Sequence, residues 1–248
     1  MSEPVFLIDA VPTSDVMTLA GSEGHHAANV QRMRVGERLT LSDGAGSMAE
    51  AEVSAVRKGE LDLRLSQRRN IPAPDPRLVV VQALPKGDRG EKAAQMLTEV
   101  GVDEIVPWQA ARSIVQWKGP RGEKSRGKWV SAAREASKQA RRSRLPLVAE
   151  LHTTKQLVHR LRSAQQVLVL HEEASQPLSE VGLAGQGEIA VVIGPEGSIT
   201  ADELAALSEF GQPIRLGENI LRTSTAGPVV LGALQVRLGR WLAVSWQP

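Results

Sequence analysis

Three segments in the C-terminal third combine residue types that could hold a small polar ligand and steer chemistry on it. The first is Leu170-His171-Glu172-Glu173, where an apolar run passes straight into acids. The second is Ile193-Gly194-Pro195-Glu196-Gly197-Ser198-Ile199-Thr200, and the third is Leu216-Gly217-Glu218-Asn219-Ile220-Leu221-Arg222-Thr223-Ser224. Gly194 and Gly197 permit positive φ and a close approach of the backbone to a flat ligand. Thr200 with Glu203 makes a capping box, which predicts a helix directly after the glycine loop. Arg222 follows an apolar context in which a charge needs a reason. A structural ion pair is its plain alternative, as a simple strand-to-helix turn is for Gly-Pro-Glu-Gly.

Other chemistries lose their support. There is no cysteine, which removes disulfides, thiolate metal sites and cysteine nucleophiles. The five histidines, His25, His26, His152, His159 and His171, form no metal-binding spacing, so no metal is expected. Neither a GxSxG elbow nor a GxGxxG after a strand occurs. Gly122 to Lys128 imitates a phosphate-binding loop until Trp129 replaces the required Ser or Thr.

The elements that must position the three segments fall into two patterns. Up to about residue 70, short alternating runs at Val5–Ile8, Arg38–Leu41, Ala49–Val56 and Leu61–Leu65 read as strands around hairpin turns at Asp43–Gly46 and Lys58-Gly59. His25–Met33 is the one helix predicted there, and a small β-barrel is the expected result. Pro72, Pro74 and Pro76 then mark a linker. Beyond it, Leu78–Leu84 is a nearly continuous apolar run, the mark of a strand covered on both faces. A helix over Gly90–Val100, closed by Gly101, leads to a strand at Glu104–Trp108. Further strands are predicted at Leu147–Leu151, Val167–Leu170, Ile189–Ile193 and Ile214–Leu216, with a last helix over Ser224–Leu242 that starts or kinks near Pro228. Alternation of this kind argues for an α/β fold with a parallel sheet. Ligands then sit beyond the carboxyl ends of the strands, where all three segments lie.

The chain has 248 residues and a formal charge of only +2, which conceals a strong asymmetry. Residues 1–76 carry −3, residues 77–160 carry +9 and residues 161–248 carry −4. A helix expected over Lys128–Arg144 puts Trp129, Ala133, Ala136 and Ala140 on one stripe and Arg134, Lys138, Arg141 and Arg142 on another. No acid stands at i±4 to these cations, so the face repels itself unless an anion covers it. Nucleic-acid contact through phosphates is the expectation, with a solvated helix face as the alternative. Trp108, Trp117 and Trp129 read as core or interface residues rather than stacking platforms. No run reaches the ~20 apolar residues of a membrane span, and Met1–Ala10 lacks a basic leader, so a cytoplasmic protein without a membrane partner is expected.

The motifs together resemble the SPOUT class of methyltransferases, and most closely its RsmE family. The resemblance runs through His25-His26 to Arg34, Leu84-Pro85-Lys86, Thr98-Glu99-Val100-Gly101, Leu170-His171-Glu172, Ile193 to Gly197, Leu216-Gly217 and Ile220 to Thr223. It implies methylation of a uridine N3 in 16S ribosomal RNA of the small ribosomal subunit. It further implies an RNA-holding PUA-like barrel over 1–72, with Arg32 and Arg34 among its contacts, and a methyltransferase domain with a trefoil knot over 73–248. A homodimer binding S-adenosyl-L-methionine is implied too. Carried over residue by residue, Leu170, Glu172, Ile193, Gly194, Glu196, Gly197, Leu216, Gly217, Ile220, Leu221 and Arg222 become the cofactor site, and Arg222 the catalytic group.

Two residues depart from that family's pattern. Ser224 stands where Glu is frequent, which removes one carboxylate as a general base, and Ser198 stands where a second Gly is common. Arg222 is expected to stabilise negative charge on the uracil carbonyls, with Glu196, Glu172 or solvent open as the base. The acidic C-terminal third suits a cofactor bearing a positive sulfonium. Methylation of a ribose 2′-hydroxyl or another base, or a non-catalytic RNA-binding assembly role, are the rival readings.

Overall fold

Leu39 and Leu41 alternate with polar residues along one segment, and Leu61, Leu63 and Leu65 along another, a period of two that gathers all five on one face. In the structure, a computed structural model describing residues 3–241, they line the core of a five-stranded sheet together with Phe6, Leu19 and Val53. Its strands are β1 (Val5–Leu7), β2 (Val16–Leu19), β3 (Arg38–Ser42), β4 (Ser47–Arg57) and β5 (Glu60–Asn70), in the order β1-β3-β4-β5-β2. β1 pairs with β3 in parallel; the other pairs are antiparallel.

Strand β2 carries no alternating pattern in the sequence, since only Leu19 of its four residues is buried. The helix expected over His25–Met33 begins earlier, as α1 (Gly21–His25), and continues as a π-helical turn over His26–Val30. The β3–β4 turn is held by Asp43, whose Oδ1 accepts from the N–H groups of Ala45 at 2.7 Å and Ser47 at 2.9 Å.

The chain divides into two compact units, and the first is not continuous in sequence. It runs to Ala73 and takes in Ser137–Leu145. Gly46 donates its N–H to the Ser143 carbonyl and Leu145 to the Gly44 carbonyl, each at 2.9 Å, so this segment clasps the β3–β4 turn. A Cβ on Gly46 would stand 2.5 Å from the Ile71 carbonyl oxygen, and Gly46 has φ +115°, so glycine is needed there on both counts.

The second unit, Pro74–Ala136 with Pro146 onward, is built on parallel strands. They are β6 (Arg77–Ala83), β7 (Glu104–Gln109), β8 (Leu147–Val148), β9 (His152–Thr153), β10 (Gln166–Leu170), β11 (Glu188–Ile193) and β12 (Gln212–Ile214). The order is β12-β10-β11-β6-β7-β8, with β9 also on β7. The helices are α2 (Arg89–Val100), α3 (Gly119–Gln139), α4 (Thr154–Leu161), α5 (Ala201–Ser208) and α6 (Thr223–Arg237).

Alternate residues of β6 feed two cores. Leu78 and Val80 pack with Leu97, Trp129, Leu231 and Leu234. Val79 and Val81 pack with Leu157, Leu161 and Leu207. Both faces are thus covered, which accounts for the unbroken apolar run.

At the amino ends of the strands, Glu104 is buried against Arg77 and against Arg160 at 3.0 Å. Glu188 binds the same two arginines at 3.2 and 3.0 Å. Four charges therefore close one edge of the sheet, opposite the edge where the three segments emerge.

Several sequence expectations need correction here. α3 stops at Gln139 rather than Arg144, and Arg141 has φ +54°, so Arg141 and Arg142 lie in a turn instead of on a helical stripe. The phosphate-loop imitation, Gly122–Lys128, is interior to α3. The strand expected over Leu147–Leu151 is only two residues long, and β12 ends at Ile214 instead of reaching Leu216. α6 begins at Thr223 with Pro228 inside it, and Leu242 lies outside the described residues.

Candidate active site

Strands β10, β11 and β12 are neighbours, so the loops at their carboxyl ends meet. The first and third loops are tied together: His171 donates its N–H to the Ile214 carbonyl at 3.0 Å, and Arg215 donates to the Gln176 carbonyl at 2.9 Å. Between the three loops opens a cleft of about 500 Å³, within the ~300–1,000 Å³ usual for small-molecule sites. Its wall carries Leu170, Glu172, Ile193, Gly194, Glu196, Leu216, Gly217, Ile220, Leu221 and Arg222. Gly197 is the one cofactor candidate that does not line it. That residue instead faces Arg112, whose guanidinium donates to the Gly197 carbonyl at 3.1 Å.

The glycine loop works differently from the sequence expectation. Positive φ falls on Ser198, at +64°, and on neither Gly194 nor Gly197. Gly194 is required for space: a Cβ there would stand 2.7 Å from Ile199 Cγ1. A tight turn closes the loop, with Ser198 donating its N–H to the Pro195 carbonyl at 3.0 Å.

Beyond the loop the capping box of α5 is present, Thr200 and Glu203 binding each other's backbone N–H. The buried Glu203 also accepts from the Ala111 N–H and the Thr154 hydroxyl, both at 2.8 Å. Burial pushes its carboxyl up, but the donors from Ala111, Thr154 and Thr200 outweigh that and hold it below the usual carboxylate range.

The cleft acids are engaged in distinct ways. Glu196 accepts from the Lys86 N–H at 3.1 Å and from Arg89 at 3.3 Å, which fastens the glycine loop to the segment after β6. Glu172 accepts from the Ser198 hydroxyl at 2.9 Å. Its own backbone N–H lowers its carboxyl, burial pushes it up, and that hydroxyl and the charge of adjacent His171 bring it down again, so that it lies below the usual carboxylate range.

Arg222 is exposed at the N-cap of α6 and has no acidic partner among the described residues. The alternative of a structural ion pair therefore has no support there. Ser224 is buried in the first turn of α6 and brings no carboxylate to the cleft.

His171, Arg215, Glu218 and Asn219 also line the cleft. His171, Glu218 and Asn219 belong to the segments marked out in the sequence but not to its cofactor-site residues, and Arg215, just before the third segment, is brought in by the pairing of β12 with β10. No group of three or more His, Asp or Glu among the described residues is placed to hold a metal ion.

The residues assigned to nucleic acid are scattered over different settings. Arg32 and Arg34 are exposed on either side of buried Met33. Arg134 and Arg141 are exposed, Arg142 is half-buried, and Lys138 is largely covered and pairs with Glu23 at 3.1 Å. Trp108 and Trp129 are core residues, and Trp117 stands edge-on to Trp129 at 5.1 Å between ring centroids. No helix among the described residues is long and apolar enough to cross a membrane.

Comparison with known proteins points the same way as the cleft. A family model of an RNA methyltransferase domain matches residues 72–235, and one of an RNA methyltransferase PUA domain matches residues 19–66. Ribosomal RNA small subunit methyltransferase E of Mycobacterium bovis is 43% identical over 96% of this chain and 93% of its own length. The protein of that name from Bacillus subtilis is 32% identical over 92% and 91%. The crystal structure of ribosomal RNA small subunit methyltransferase E from Neisseria gonorrhoeae, bound to S-adenosyl methionine, superposes with a TM-score of 0.86 at 26% identity. That match covers 95% of this chain and 98% of the other.

Proposed function

This chain belongs to the RNA methyltransferase family that includes ribosomal RNA small subunit methyltransferase E, and from that premise we propose that it methylates N3 of a uridine in 16S ribosomal RNA. The observation that carries the reading is the convergence of three separate loops, Leu170–Glu172, Ile193–Ser198 and Leu216–Arg222, on one cleft. S-adenosyl-L-methionine fits that cleft by volume and by charge, since acids on its wall suit a sulfonium and backbone groups of the glycine loops suit adenine and the methionine part. When bound, the cofactor supplies an electrophilic methyl group. The chain's own part is to orient the base and to stabilise charge on it. Arg222, exposed at the cleft wall, holds negative charge on the uracil carbonyls as N3 loses its proton.

The finer assignments form part of the same proposal. The first unit and the cations Arg32, Arg34, Arg134, Lys138, Arg141 and Arg142 hold RNA phosphates in the cytoplasm. The last strands and α6 form a trefoil knot. Two chains pair as a homodimer, which the exposed Val229 and Val236 of α6 support.

The test is mapping of methylated nucleotides in small-subunit RNA from cells lacking the protein and from cells in which it is restored. Loss and return of one N3-methyluridine is the expected result. An unchanged methylation pattern overturns it, and a mark appearing on a ribose 2′-hydroxyl replaces the uridine with the rival substrate.

A further inference from the structure

A side chain at positive φ is strained unless something repays it, and Ser198 holds φ +64° in a loop where glycine would be free of that strain. Its hydroxyl points across the cleft edge to Glu172 Oε1 at 2.9 Å, joining the loop after β11 to the loop after β10. The three cleft acids differ in what faces them. Glu196 is neutralised by Arg89 at 3.3 Å. Glu218 is exposed and has no hydrogen bond among the described residues. Glu172 is held by neutral donors, its own backbone N–H and the Ser198 hydroxyl, and no Lys or Arg pairs with it among the described residues; the charged group that acts on it is the adjacent His171. It is therefore a placed carboxylate without a Lys or Arg to neutralise it.

We propose that Ser198 is a positioning residue, holding the Glu172 carboxylate on the cleft wall so that the site prefers the cationic sulfonium of the cofactor to its neutral thioether product. This rests on the reading of the cleft as the S-adenosyl-L-methionine site. A charge-assisted hydrogen bond both orders the carboxylate and keeps it ionised. Without the hydroxyl, Glu172 keeps only its own backbone N–H and is held less firmly on the wall, with water screening more of its charge.

Ser198→Gly isolates the effect, because glycine accepts φ +64° without strain and only the small CH2OH group is lost. Calorimetric titration of the full-length protein would compare S-adenosyl-L-methionine with S-adenosylhomocysteine. The expected result is a loss of about three- to tenfold in affinity for the first and a smaller loss for the second. KM for the cofactor rises while kcat at saturation holds, and the melting temperature does not fall. Glu172→Gln shows the same uneven loss of affinity for the two ligands, and the double variant adds little to the affinity loss of either single one.

Unchanged affinity in Ser198→Gly, or equal losses for both ligands, overturns the proposal. Failure of the unsubstituted protein to bind S-adenosyl-L-methionine is a separate outcome, which overturns the reading of the cleft itself.

Discussion

Glu203, in the first turn of α5, accepts the backbone N–H of Ala111 from the loop after β7 at 2.8 Å. One carboxylate thereby joins the helix that follows the glycine loop to a strand end two places along the sheet, and through Thr154 to the start of α4. Its folded-state pKa lies below the ordinary value. The stabilisation is therefore complete above the unfolded pKa of about 4.3 and is lost as pH falls through the lower, folded value.

Glu203→Gln is accordingly expected to cost about 1 to 3 kcal/mol at pH 7. The penalty should shrink on acidification below about pH 4. Urea unfolding at a series of pH values reads this directly, and parallel pH profiles for both proteins would show that Glu203 is not the titrating group.

The amino ends of the strands make an independent prediction. Glu104→Ala strips the buried carboxylate from Arg77 and Arg160. Breaking a buried pair costs about 3–5 kcal/mol. Here Arg77 keeps 41% of its side-chain surface in water, so a loss of about 2–3 kcal/mol is expected after solvent screening. Cofactor affinity, measured by calorimetry below the melting transition, should be unchanged because the cleft lies at the opposite edge.

Gly90 marks a tight helix contact. A Cβ there would stand 2.6 Å from ring atoms of Trp129, and a buried indole cannot swing aside. Gly90→Ala is expected to destabilise by about 1–3 kcal/mol through overpacking, against the small gain that Ala normally brings to a helix. Differential scanning calorimetry gives the sign.

Arg222→Ala should lower the single-turnover methylation rate by about 10²–10³-fold. The loss should fall mainly on the chemical step rather than on cofactor binding. A variant that retains the full rate at saturating cofactor would remove Arg222 from the reaction.

RNA affinity offers a contrast between neighbouring cations. Arg141→Ala should flatten the dependence of log affinity on log salt by roughly 1 if it contacts one phosphate. Lys138→Ala removes the partner of Glu23, so thermal stability should register its loss more than the salt slope. Filter binding across a salt series, beside thermal melts, separates the two effects.

Much of the second unit could be read from local pattern. The apolar run of β6, the glycine that closes α2 with Gly101 at φ +98°, and the Thr200–Glu203 box each carry their own signal. The three loops were legible as strand ends for the same reason. What escaped depends on contacts distant in sequence. Strand β2 buries one residue of four and so shows no alternation. The end of α3 at Gln139 has no glycine or proline beside it and follows from Ser143–Leu145 joining the β3–β4 turn. In the cleft, the positive φ at Ser198 could not be foreseen with two glycines close by, and the distance of Gly197 from the wall is set by Arg112, 85 residues away.

The clasp of Ser143–Leu145 on Gly44 and Gly46 also sets an order of assembly. A fragment ending at Ala73 has all five strands of the first sheet but lacks the segment that fastens its β3–β4 turn. On the ribosome, the clasp on that turn cannot form until residue 145 has left the exit tunnel. By then β6, α2, β7 and α3 have already been made. A cut at the proline-rich linker therefore separates the β3–β4 turn from its clasp, which forms only after Pro74–Ala136 of the second unit has been synthesised.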